Sequence, residues 1–136
     1  MGLGEGRLTA FLSTYVNKVD RKGRVSVPAP FRAALSGSSF LGLIAYPSLR
    51  QPAIEAFSRD VLDQLNARRI SQSLEGGDFE RVLLGEGDPL VEAVMAIIHE
   101  LPFDGEGRIV LPAGLMDHGG LVDQAAFVGR GNRFQI

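Results

Sequence analysis

Val19-Asp20-Arg21-Lys22-Gly23-Arg24-Val25-Ser26-Val27-Pro28 reads as the end of one strand, a tight turn, a second strand and a stop. Asp20 can close an Asx-type turn on its own backbone, and Gly23 offers a positive φ with no Cβ to clash. Val25 and Val27 then point to one face of the second strand, and Pro28 withdraws a ladder donor and ends it. The pattern recurs at Phe103-Asp104-Gly105-Glu106-Gly107-Arg108-Ile109-Val110-Leu111-Pro112. Subtraction gives the register: Asp104 minus Asp20 is 84, and the same offset carries Gly23 to Gly107, Arg24 to Arg108, Pro28 to Pro112 and Ala29 to Ala113. Extended without a gap, it carries Phe31 to Leu115 and Leu43-Ile44-Ala45 to Phe127-Val128-Gly129.

Outward from the first turn, Phe11-Leu12-Ser13-Thr14-Tyr15-Val16-Asn17-Lys18-Val19 is rich in β-branched and aromatic residues and reads as the entering strand. After Pro28, Pro30 suits the first turn of a short helix on which Phe31 and Leu35 share a face, and Ser36-Gly37-Ser38-Ser39 ends it. Phe40-Leu41-Gly42-Leu43-Ile44-Ala45-Tyr46 reads as a buried strand broken by Pro47-Ser48. Over residues 52–70, Ile54, Phe57, Val61, Leu62 and Leu65 follow the 3.6-residue period opposite Glu55, Arg59, Asp60, Asp63 and Arg68, which predicts an amphipathic helix. Its stripe suits core packing first and subunit packing second. Glu75-Gly76-Gly77-Asp78 is a loop, Asp78 or Asp88 can each cap a helix on its C-terminal side, and residues 89–98 are expected to be helical from their Asp-Pro start and their Ala and Met content. The end, from Ala125 to Ile136, is a hairpin turning at Gly129-Arg130-Gly131-Asn132; it stops within a strand, which leaves room for a longer native chain.

The expected architecture is α+β: two tandem strand-turn-strand-helix-strand units at residues 11–51 and 100–136, with inserted helices at 52–99 between them. Neither unit can bury its apolar face alone, so the two should pack in pseudo-twofold relation around a small barrel-like core, as one intertwined body. The 136 residues do not suffice for two independent globules.

Composition narrows the function. Hydrophobic residues make up 45% and charged residues 22%, which is globular, and no cysteine is present, which excludes disulfides and thiolate metal sites and favours a reducing, cytoplasmic setting. No apolar run approaches the ~18 residues of a membrane span, and the first residues lack the pattern of a secretory leader. The net charge of −2 carries no global signature of a nucleic-acid binder, so any such role has to rest on local charge. An enzyme is not expected. His99 and His118 stand apart, Asp104 and Glu106 lie on a solvated turn, and neither Gly129-Arg130-Gly131 nor the Gly-rich start has the strand-to-helix context of a nucleotide loop. No cofactor, metal or small-molecule substrate is expected.

An Asp-x-x-x-Arg turn followed by Pro, present twice in one chain of this length, resembles the MraZ family of the AbrB-like, swapped-hairpin DNA-binding fold. The likeness covers roughly residues 11–136, and Gly-Arg-Gly-Asn-Arg-Phe-Gln-Ile at the end is similar to that family's C-terminal hairpin. The resemblance implies a nucleoid-associated transcriptional regulator, usually a repressor, that forms ring-shaped homo-oligomers. Such a ring would bind repeated promoter elements in double-stranded DNA upstream of cell-division and cell-wall genes. The Asp-x-x-x-Arg loops would supply the contacts, which places Asp20 and Arg24, and Asp104 and Arg108, in the site. The Gly-rich start departs from the family pattern and bears on oligomer contacts more than on the loops.

Local charge divides the two loops. The first carries Lys18, Arg21, Lys22 and Arg24 against Asp20, or +3; the second carries Arg108 against Asp104 and Glu106, or −1. Phosphate neutralisation, whose salt slope is about −0.9 per contact, would therefore fall mainly to the first loop. Arg24 is the principal candidate because arginine can engage guanine or phosphate in bidentate fashion; the plainer reading, an Arg24–Asp20 pair that locks the turn, is compatible with Asp20 orienting Arg24. For Arg108, with Asp104 as its orienting partner, the locking role is preferred. Arg21 and Lys22 are read as phosphate-positioning residues at the loop tip rather than a merely solvated run, with Lys18 beside them; Arg7 could add a contact from the leading segment. The competing function is an antitoxin-like or scaffold module that organises a protein partner. AbrB-like antitoxins resemble one copy followed by a toxin-wrapping tail, whereas this chain has two copies and no such tail in view.

Overall fold

The computed structural model describes residues 10–75 and 89–136. The first copy supplies strands β1 (Thr14–Lys18) and β2 (Arg24–Ser26), helix α1 (Ala29–Leu35) and strand β3 (Gly42–Pro47). Strand β4 (Ile54–Phe57), helix α2 (Arg59–Glu75) and helix α3 (Pro89–Ile97) come next. The second copy supplies β5 (His99–Pro102), β6 (Arg108–Val110), helix α4 (Ala113–Gly119) and β7 (Gln124–Gly129), and the chain ends in β8 (Phe134–Gln135). Of the predicted loop at 75–78, Glu75 closes α2 instead, and residues 76–78, with the capping roles of Asp78 and Asp88, lie outside the described residues, as does Arg7.

Every described pairing is antiparallel. Six strands form one sheet in the order β1-β7-β8-β4-β3-β5, and β2 pairs with β6 as a separate two-stranded ribbon. The expected barrel-like core is thereby corrected: the sheet is open. Its edges β1 and β5 do not pair with each other, and among the described residues the ribbon meets the β1 end through the isolated Val19–Val25 bridge rather than through a ladder.

The ribbon binds the two copies together. Arg24 pairs with Val110, Val25 with Ile109 and Ser26 with Arg108, so the pairing is centred on two residues that the 84-residue offset makes equivalent. The flanking bonds obey the same exchange: the Val27 amide donates to the Gly107 carbonyl at 3.2 Å, and the Leu111 amide to the Gly23 carbonyl at 2.8 Å. Val25, Val27, Phe31, Leu35, Leu43 and Ala45 meet Ile109, Leu111, Leu115, Leu101, Ala125 and Phe127 in a single apolar cluster closed by Phe11, Phe134 and Ile136. Burying each of the larger side chains is worth about 1.5–3 kcal/mol, which neither copy could secure with its inner face in water.

The gapless register holds through the helices, from 29–35 to 113–119, and then slips. Asn17 pairs with Ala125 while Leu101, its equivalent, pairs with Leu43, so strand β3 maps onto β7 with an offset of 82. The α1–β3 connection spans residues 36–41 and the α4–β7 connection only 120–123, two residues fewer. A shift of two keeps inward side chains inward, which is why the slip leaves no trace in the apolar pattern.

The helix predicted from residue 52 begins later. Ile54–Phe57 is a strand lodged between β3 and β8, with Ile54 and Ala56 fully buried and the Ile54 and Ile136 backbones exchanging two bonds of 2.9 Å. Sheet pairing on both sides overrode the helical period. Helix α2 then starts where the Ser58 hydroxyl accepts from the Val61 amide at 3.3 Å. Of the predicted stripe residues that fall on α2, Leu62 is buried while Val61 and Leu65 are exposed, so within one chain the helical part of the stripe is not core.

Glu55 anchors the last strand from within the sheet, accepting from Arg133 Nε at 2.9 Å and from Gln135 Nε2 at 2.9 Å. Glu55→Ala leaves a buried amide short of an acceptor, an expected loss of about 1–3 kcal/mol read as a lower urea midpoint. A midpoint equal to the parent's would contradict this anchoring role.

Candidate nucleic-acid interface

Each loop is built on one carboxylate. Asp20 Oδ1 accepts from the backbone amides of Lys22 and Arg24, both at 2.9 Å, and Oδ2 accepts from Arg24 Nε at 2.6 Å. Asp104 repeats this with Glu106 N at 2.8 Å, Arg108 N at 2.9 Å and Arg108 Nε at 2.8 Å. Gly23 at φ 81° and Gly107 at φ 75° supply the left-handed residue that each turn needs. The Arg24 amide, its guanidinium and the Lys22 amide together outweigh partial desolvation and hold the Asp20 carboxyl below its ordinary value. Asp104 is lowered in the same way, first by the Arg108 amide, against some desolvation, then by the Glu106 amide and the Arg108 side chain. Arg108 is raised, chiefly by its bond to Asp104, with desolvation opposing and with smaller attractions from Asp104, Glu106 and Asp20. Asp20 belongs to the other loop, so the two loops lie within electrostatic reach of each other.

A carboxyl lowered by folding stabilises its loop at any pH above the ordinary value of 3.8 and loses that contribution as pH falls through the folded value below it. Protection of the Lys22, Arg24, Glu106 and Arg108 amides, their exchange measured against that of an unstructured chain at the same pH, is therefore expected to hold through mildly acidic pH and to fall only below 3.8. Protection already lost above that value would show that the carboxylates do not brace the turns.

The ribbon decides where the arginines point. Side chains alternate along a strand, and Val25 and Ile109 are each 1% exposed, so Arg24, Ser26, Arg108 and Val110 face outward together. In this register Arg24 and Arg108 are diagonal neighbours, a relation that spaces residues by about 7–8 Å in antiparallel pairs. Their side chains are 36% and 28% exposed, close enough that the structure gives both copies an outward arginine. Arg108 Nη2 also lies 3.4 Å from Glu106 Oε1, a second acidic contact with no counterpart at Arg24 among the described residues.

Arg21 and Lys22 are exposed at the first loop tip beside Arg24. Lys18 is exposed on β1 but on the strand face opposite Asn17, whose Nδ2 donates to the Ser26 carbonyl at 2.7 Å. Lys18 is thus the predicted residue least joined to the ribbon's outer face. Sequence reasoning missed Asn17, Val110 (54% exposed) and Arg32, whose side chain from α1 lies against Gly107 of the second loop. Strand alternation could have signalled Val110; nothing local signalled the other two.

Among the described residues, no group of three or more His, Cys, Asp and Glu is placed to hold a metal ion, and no helix is long and apolar enough to cross a membrane. His118 Nε2 sits 3.0 Å from the Gln51 carbonyl rather than in a catalytic pair. A cavity of about 690 Å³ lies between α2, α3 and the β3–β4 face, lined by residues such as Tyr46, Phe57, Leu62, Val94 and Met95.

Fold and site together define a mixed α+β protein that presents two carboxylate-braced arginines on a shared ribbon. No family model matches the chain. It is 44% identical over 135 residues to the transcriptional regulator MraZ of Rickettsia bellii (strain OSU 85-389), covering 95% of this chain and 81% of that protein. The MraZ regulators of Rickettsia peacockii (strain Rustic) and Rickettsia canadensis (strain McKiel) are 43% identical over 129 residues and 42% over 134, with the same coverage. The chain belongs to the MraZ family of transcriptional regulators.

Proposed function

We propose that this chain is a sequence-specific DNA-binding repressor that engages repeated promoter elements upstream of cell-division and cell-wall genes as a ring-shaped homo-oligomer, in the cytoplasm on the nucleoid. The observation that carries the reading is the presentation of Arg24 and Arg108 on one outer face, each guanidinium steadied by its own aspartate. An arginine fixed in this way loses little freedom on meeting a guanine edge or a phosphate. Arg24 leads, with Arg21, Lys22 and Lys18 as phosphate contacts and Asp20 orienting; Arg108 and Asp104 are the weaker pair, since Glu106 competes for Arg108.

We read the copies as tandem AbrB-like units at 11–51 and 100–136 in pseudo-twofold relation, with 52–99 inserted between them. Support comes from the pairing centred on Val25 and Ile109 and from the matching Asp-braced turns. Self-association is favoured by the exposed Val61, Leu65, Ile70, Leu90 and Ile97 on the inserted helices, apolar surface that a second copy would remove from water. An oligomer aligns several weak loops along spaced repeats, so high affinity needs no strongly basic chain.

The test is to pass fragmented genomic DNA over the purified protein and sequence what is retained. Enrichment of repeated elements upstream of division and cell-wall genes is expected. Retention of no DNA, together with a stoichiometric co-purifying polypeptide, would replace this reading with that of a protein-interaction module.

A further inference from the structure

The two copies differ in what their helices lay against the opposite loop. A methyl group on Gly107 would lie 2.6 Å from Arg32 Nη1 and 2.8 Å from Arg32 Cδ, so the side chain passes directly over that glycine. In the first loop, the corresponding group on Gly23 would meet the Leu111 carbonyl oxygen at 2.8 Å and Met116 Sδ at 3.7 Å. Met116 stands where the 84-residue offset places the equivalent of Arg32. A thioether thus lies beside the strongly basic loop, and a guanidinium lies closely over the acidic one.

Arg32 is held in place by the strand that the second loop leans on. Its Nη1 donates to the Val27 carbonyl at 3.0 Å, while the Val27 amide donates to the Gly107 carbonyl at 3.2 Å. Val27 therefore joins Arg32 and Gly107 through its two backbone groups. Arg32 is half-buried, and among the described residues it has no carboxylate partner. With Arg32 included, the second loop changes from −1 to neutral, Arg32 and Arg108 offsetting Asp104 and Glu106.

We infer that Arg32 is a positioning residue for the second loop: it reaches across from the first copy, clamps Gly107 and so holds Arg108 ready for DNA. This rests on the DNA-binding reading above. The clamp needs a planar, multiply donating group that can lie flat on a glycine while bonding a carbonyl, which lysine cannot reproduce. Because it acts through Arg108, its loss should matter only while Arg108 is present.

The test is a mutant cycle in the full chain, with a duplex from upstream of the protein's own gene as probe. Arg32→Met, which installs the other copy's residue, is expected to weaken binding about 3- to 10-fold, an effect that persists with Arg24→Ala and vanishes with Arg108→Ala. The salt slope should be unchanged, and Arg32→Lys should fail to restore affinity. A slope reduced by about 0.9 would make Arg32 a direct phosphate contact and overturn the inference, as would additivity with Arg108→Ala or rescue by lysine. In the free protein, Arg32→Met should speed amide exchange at Gly107 and Arg108 but not at Gly23, with melting behaviour as the control for folding. If Arg24→Ala and Arg108→Ala both leave DNA binding intact, the loop reading fails by itself, and unchanged exchange at Gly107 would still refute the clamp.

Discussion

Arg24→Ala is expected to weaken binding to promoter DNA about 5- to 150-fold for each engaged loop, the equivalent of one bidentate arginine–base contact of about 1–3 kcal/mol. An oligomer that engages several loops compounds the loss, so in a mobility-shift titration the midpoint should move to a correspondingly higher, still measurable protein concentration. Oligomer size by light scattering should not change. Arg24 lies on the outer face of the ribbon, while the residues that hold the ribbon, Val25 and Ile109, point the other way into the core. Asp20 keeps its bonds to the amides of Lys22 and Arg24 when the side chain is removed, so the turn survives. Arg108→Ala is expected to cost less, because Arg108 is already shared between Asp104 and Glu106 and its loop lacks the flanking cations of the first. Unaltered DNA affinity in Arg24→Ala would remove the first loop from the site whatever the family resemblance implies.

Phe31→Ala should damage the whole molecule rather than one copy. The ring is fully buried, and its centroid lies 5.4 Å from that of Phe11, 5.5 Å from Tyr15 and 4.8 Å from Phe134. A first-copy helix is thereby tied to the chain's leading strand and to its last one. Removing a buried Phe typically costs about 3–5 kcal/mol, a large share of the roughly 5–15 kcal/mol that keeps a domain folded. Urea unfolding should show a midpoint lowered accordingly. Because both copies line one apolar cluster, fluorescence of Tyr15 and Tyr46 and far-ultraviolet circular dichroism should report the same transition. Two separate transitions, or a loss below about 1 kcal/mol, would mean that the copies hold themselves together independently.

Much of this was legible from residues alone because the turns are local objects. An aspartate, a glycine able to take positive φ and an arginine four positions after the aspartate form their bonds within five consecutive residues, so the sequence pattern and the geometry coincide in both copies. Helix α1 was equally local, with Pro30 at its start and Phe31 and Leu35 on one face. The misreadings arose where a partner distant in sequence made the choice. Ile54 to Phe57 has a helical spacing of apolar residues, yet bonds from β3 on one side and β8 on the other made it a strand. The barrel-like core failed for a related reason: β2 and β6, 84 positions apart, pair as a ribbon of their own, and its junction with the β1 end is an isolated bridge at Val19 and Val25 rather than a ladder.

The sequence by itself determined the two matching turns, the shared apolar face and the asymmetry of charge between the loops, since each depends on residue type at short range or on composition. Only the tertiary structure decided that the two arginines stand on one face, that the sheet is open, and that Arg32 crosses to the other copy's loop. Those outcomes stem from the β2–β6 register and from the packing of α1 over Gly107, contacts between residues about 80 positions apart that no local propensity encodes.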